Sequence, residues 1–235
     1  MARRRRRHND HYRTYRRNPA LERFTPAFRD AVQYLSAEVA NNYITAGELI
    51  LDVALLRSIN DFVDDDMSQQ AMHLINRDES RHIAMDFYMT QLYADQAARG
   101  ELKTTSRNAR ERLTAYAAFG KVLYYGRPFF DEVFFGPMRL VDPSGKRLKE
   151  AYKRIQLLQE REDVGQRPFL RFMSTVRRLY EDERVGPVLG PSLSRLVGID
   201  QSVMGTVYDE QEKQASLKMN MDELAEEAVA AKLAS

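Results

Sequence analysis

Two stretches of this chain, Ala27 to Asp61 and Ser68 to Arg99, place apolar residues three and four apart over more than thirty positions each, with one glycine (Gly47) and no proline. That period belongs to amphipathic helices and not to strands. Asp61 to Asp66 interrupts it and Gly100 closes it, which predicts two long helices packed as an antiparallel hairpin across a short acidic turn. Downstream, Asn108 to Tyr125 reads as a helix interrupted at Gly126 and Pro128, with Pro128 to Phe135 a short continuation stopped by Gly136 and Pro137. Asp142 to Gly145 reads as a turn, and Lys146 to Val164 and Phe169 to Tyr180 read as further helices before two Gly-Pro breaks. There is no internal repeat and no useful strand-like alternation. The expected class is all-α, with residues 27–205 as the helical domain, residues 1–26 as an Arg-rich disordered tail and residues 206–235 as a polar helical or disordered tail.

The chain has no cysteine and four histidines in 235 residues. That excludes disulfide scaffolds, thiolate catalysis, iron–sulfur clusters and Cys-ligated zinc, and it leaves oxygen and imidazole as the donors for any metal. Residues 1–17 carry eight Arg against one Asp, which leaves about −5 on the rest of a chain whose formal charge is +2. Two readings of this run stay open: a solvated tail, or a polyanion-docking segment through residues 2–17 with Tyr12 and Tyr15 stacking on bases. No apolar stretch of about 18 residues and no signal-peptide pattern is visible, so a cytoplasmic protein with no membrane association is expected.

Candidate chemistry lies on the first two helices. Between Tyr43 and Leu56 only Glu48 and Asp52 are charged, four apart and so on one helical face. With Asn41 and Thr45 they form either a solvated stripe or an inward polar row. The next helix carries Asp78-Glu79-Ser80-Arg81-His82, in which Glu79 and His82 share a face with Ile75, Asp86, Met89 and Tyr93. Gln69, His73, Arg77 and Ser80 take the opposite side, so Glu79 and His82 are expected to point inward. With the turn centred between positions 63 and 64, Glu79 stands level with Glu48. Two opposed carboxylates in an apolar bundle repel unless one takes a proton or cations cancel their charge, and a shared metal pair does the latter. Asp52 and Asp86 are then placed to orient the ligands from behind, for instance by accepting a hydrogen bond from the imidazole.

A Glu on one long helix followed about thirty residues later by Asp-Glu-x-Arg-His resembles the first half of the ferritin-like di-iron carboxylate proteins, and Asp78 to His82 is most similar to the p-aminobenzoate N-oxygenase branch. The resemblance covers roughly residues 27–93. It implies a ferritin-like helical bundle of two antiparallel helix pairs plus additional C-terminal helices. It also implies a second Glu and a second Glu-x-x-His downstream, for which the available residues are Glu132, Glu160 and Asp163, the last standing where a histidine belongs. Such a site has one imidazole and is oxygen-rich, which implies a preference for manganese or poor retention of iron. For Glu160 and Asp163 an ordinary solvated face is the other reading.

The expected function is therefore a dinuclear oxygenase or oxidase that holds two iron ions, or iron and manganese, and uses dioxygen to oxidise a small organic substrate. Arylamine N-oxygenation is what the motif resemblance suggests. Two alternatives are a non-catalytic helical bundle used for assembly, a homodimer being compatible with either, and a nucleic-acid-associated protein working through its Arg-rich N-terminus.

Overall fold

The computed structural model describes residues 17–60, 64–102 and 107–233. Every regular element among them is helical: α1 Pro19–Tyr34, α2 Ala37–Asn60, α3 Asp66–Ala98, α4 Ala109–Phe130 continuing through Asp131–Phe135 to Gly136–Val141, α5 Lys146–Glu160, α6 Pro168–Glu181, α7 Gly186–Val197, α8 Glu210–Lys218 and α9 Met221–Leu233, with a 3₁₀ turn at Gln201–Val203. The all-α expectation holds for the described residues, and the residues centred in the acidic turn, 61–63, lie outside them.

The first helix begins earlier than its sequence suggests. Asn18 caps it by accepting from the Ala20 and Leu21 amides, Pro19 occupies the first turn where no N–H is needed, and Ala20 and Phe24 are buried. Residues 19–26 thus belong to the folded unit, and only Arg17 of the Arg-rich run is described, in an exposed ion pair with Glu22. What reads as one helix from Ala27 to Asp61 is two, because Leu35 leaves helical geometry and Ser36 caps the next helix through the Val39 amide.

Helix α2 is the spine. Its segment Ile50–Leu56 is a π-helix, in which each amide reaches five residues back instead of four. Asp52, Val53, Ala54 and Leu55 are all buried there, because α5 covers one side of the segment and α9 another. Contrary to the expectation of no such stretch, Ala37–Asn60 is long and apolar enough to cross a membrane, but half of its most apolar window is buried in the protein, as in a core helix.

Helices α2 and α3 pack antiparallel. The Asn41 amide donates to Thr90 Oγ1 (3.3 Å), Thr90 Oγ1 donates to Asn42 Oδ1 (3.0 Å), and Glu48 lies opposite Glu79 at the other end. The polar stripe of α2 therefore faces α3 and not solvent. Helix α1 packs on α4 over a smaller core of Phe24, Ala31, Ala118 and Val122, with Phe24 stacked on Phe129 at 4.3 Å between ring centres. The phenylalanines around Glu132 thus belong to packing.

The C-terminal segment departs most from expectation. Met221, Leu224, Ala225 and Ala228 of α9 are buried against α3 and the π segment of α2. The Arg57 guanidinium donates to the Ala231 carbonyl at 2.7 Å and ties α9 to α2.

Candidate metal centre

The antiparallel hairpin brings Glu48, Glu79 and His82 together, with one donor atom of each within 4.8 Å of the other two. Donors on one ion, each about 2.1 Å from it, stand no more than about 4.2 Å apart, so small side-chain rotations convert this trio into a coordination set. His82 Nδ1 lies 2.7 Å from Glu79 Oε2, one helical turn away on α3. The imidazole is at the rim, with its side chain 59% exposed. The reason is rotational. The buried row of α3 is Asn76, Ile83, Phe87, Thr90 and Ala94, and His82 and Asp86 each precede a member of it by one position. They therefore flank the interface instead of filling it.

Three carboxyl groups here are held above their ordinary range. Burial, then the neighbouring Glu79 charge, raises Glu48. Burial pushes Asp52 up to about 7 against the partial relief of Lys232, and burial followed by the Glu48 charge pushes Asp86 up to about 7. Glu48 Oε2, Asp86 Oδ2 and both Asp52 oxygens are buried without a hydrogen-bond partner. Buried carboxylate oxygens are ordinarily satisfied; Asp52 has a cation close by in Lys232, whereas the Glu48 oxygen, beside Glu79 and His82, is an atom that a metal ion at that trio would complete. His82 is shifted upward, chiefly by its hydrogen bond to Glu79.

Sequence reasoning missed the fourth contributor. Lys232 of α9 is fully buried, places its ammonium 3.6 Å from Asp52 Oδ2, and donates to the Asn76 carbonyl at 2.9 Å. Burial lowers its pKa while Asp52, Glu79 and Glu48 oppose the shift, so the ammonium belongs electrostatically to the same cluster. A signal was present in the chain: Met221, Ala225, Ala228 and Lys232 step by 4, 3 and 4, which puts the lysine on the apolar stripe of α9.

The residues sought as a second ligand set have other partners. Glu132 is exposed on the π turn of α4 and accepts from the Asn18 side chain at 3.3 Å. Glu160 forms ion pairs with Arg177 and with Lys213 (3.0 Å). Burial would raise its carboxyl, but hydrogen bonds from Lys213, Tyr208 and Arg177 prevail and hold it near 2. Asp163 pairs with Arg161 at 3.2 Å and accepts from the Val164 amide. The physical reason is that α5 presents to α2 its apolar positions Leu148, Ala151, Tyr152 and Ile155, while Glu160 ends the helix among cations of α6 and α8. His73 is exposed, as its side of the helix implies.

The chain matches no family model, no curated protein and no solved structure, so the function is argued from its own residues.

Proposed function

We propose that this chain is a metal-dependent oxidase or oxygenase of ferritin-like type, with iron or manganese held by Glu48, Glu79 and His82 and with dioxygen and a small organic molecule as reactants. The observation that carries the reading is the convergence of two carboxylates and an imidazole, from facing helices, with one buried Glu48 oxygen that has no hydrogen-bond partner. Two oxygen donors and one nitrogen suit iron or manganese and leave coordination positions for reactants. The bound metal would supply dioxygen activation.

The chain's own residues do the rest. Glu48 and Glu79 bind from opposite helices and fix the spacing of α2 and α3. His82, hydrogen-bonded to Glu79 and standing at the rim, would turn its imidazole to the metal on the side open to solvent. Asp86, one turn beyond His82 and coupled to it by charge, would help to orient the imidazole. Arylamine N-oxygenation is the specific outcome that the Asp78–His82 motif favours.

The test is metal analysis of the purified full chain after expression with iron and manganese, followed by oxygen-electrode measurements with a panel of arylamines. Retained metal and arylamine-dependent oxygen uptake are expected. A protein that retains neither ion favours the second reading, a non-catalytic bundle, for which the specific support is that Glu132, Glu160 and Asp163 are engaged elsewhere.

A further inference from the structure

We infer that Lys232 stands in the second cation position of this centre, so that Glu48, Glu79 and His82 hold one metal ion and not two. The inference rests on the metal-dependent reading and fixes its stoichiometry.

Three observations support it. First, a second ion beside the Glu48–Glu79–His82 trio would need donors, and Asp52 offers two buried oxygens with no hydrogen-bond partner. Second, that approach is already taken. The Lys232 ammonium lies 3.6 Å from Asp52 Oδ2, held there by the Asn76 carbonyl at 2.9 Å and by α9 packed along α3 and the π segment of α2. A divalent ion bound to Asp52 at about 2 Å would sit within a few ångströms of that ammonium, and cations at such spacing repel strongly where water is excluded. Third, Glu132, Glu160 and Asp163 are held in other contacts, so the donors left to a second ion are Asp52 and the shared carboxylates Glu48 and Glu79, the same three whose charges act on Lys232. A lysine on a polar helix would normally carry its charge to solvent. Here both the Lys232 and Asp52 side chains are wholly buried, and each offsets the cost of burying the other.

The experiment uses the full chain, stripped with chelator and dialysed against excess Mn(II), with metal per chain measured by mass spectrometry and the bound ion observed by electron paramagnetic resonance. The wild type is expected to hold one ion with the six-line signal of isolated Mn(II). Lys232→Met, which removes the charge at similar volume, is expected to take up a second ion and show an exchange-coupled signal, whereas Lys232→Arg stays at one. Two ions in the wild type, or one in a folded Lys232→Met, overturns the inference and leaves the metal reading standing; no ion in any variant overturns the reading beneath it. Should Lys232→Met fail to fold, as circular dichroism would show, the wild type labelled with ¹³C at lysine Cε decides. One equivalent of Mn(II) should broaden away the Lys232 signal, identified by comparison with Lys232→Arg, and a signal left unchanged overturns the inference.

Discussion

Asp52 and Lys232 show how little a residue's own neighbourhood in sequence says about its partner. Asp52 sits among Leu51, Val53 and Ala54 with no cation within four positions in the chain, and its counterion arrives from a helix that reads as a polar tail. Glu48, Glu79 and His82 were legible because they lie on two consecutive helices whose register follows from one short turn. The exposure of His82 was not, since a row one position off the buried one looks the same in a periodic pattern. At this scale His82→Ala should weaken Mn(II) binding beyond the roughly 10- to 100-fold that loss of a merely orienting partner costs, while His73→Ala leaves it unchanged, as isothermal titration would measure. Glu160 gives a prediction of opposite character. Its carboxyl is held near 2 against an ordinary 4.5, so its contribution is fully present above about pH 4.5 and is lost as pH falls towards 2. Glu160→Gln should therefore cost about 2–3 kcal/mol in urea denaturation at pH 7, with the gap closing in acid; an equal gap at pH 7 and pH 3 would show that the ion pairs contribute nothing.

Among the elements, α9 differs most from its sequence appearance. Its composition is that of a solvated helix, yet Met221, Leu224, Ala225 and Ala228 form a stripe that closes over α3 and the π segment of α2. A stripe built half of alanines carries a weak hydrophobic signal, and the reading of residues 206–235 as a polar tail follows from that weakness. Two helix starts are hard to see for a related reason: Asn18 before Pro19 lies in a stretch that reads as part of the Arg-rich tail, and Ser36 before Ala37 is a capping signal inside a run that looks uniformly helical. Pro128, by contrast, reads as a break, but α4 runs through it and relaxes into the π turn three residues on. If α9 is part of the core, Leu224→Ala should cost about 2–5 kcal/mol, the range for a buried leucine. Chemical denaturation followed by circular dichroism would measure it, and a loss under about 0.5 kcal/mol would mean that α9 packs only loosely.

At the scale of the whole molecule, the all-helical class and the α2–α3 hairpin follow from periodicity, whereas the placement of the later helices depends on contacts between residues more than a hundred positions apart, such as Lys232 with Asn76. The metal-free chain carries two carboxyls, Asp52 and Asp86, raised to about 7. A group whose folded pKa is raised favours the fold below its unfolded value, and that stability is lost as pH rises through the folded one. Metal-free protein should therefore melt at a lower temperature at pH 8 than at pH 5.5. A divalent ion at a hundredfold excess over its dissociation constant adds about 2.7 kcal/mol, or roughly 5–10 °C in a domain of this size. Differential scanning calorimetry with and without Mn(II) would read both effects, and a Glu79→Gln chain should lose the second.

The rim position of His82 bears on how long an ion held as proposed would stay. A nitrogen donor in contact with water can be solvated the moment its bond to the ion lengthens, so release does not wait for the helices to part. Were the proposed ion bound there, its occupancy would track the concentration of free metal instead of recording what was present when the chain folded, and a chelator in the buffer would empty the centre without unfolding a single turn.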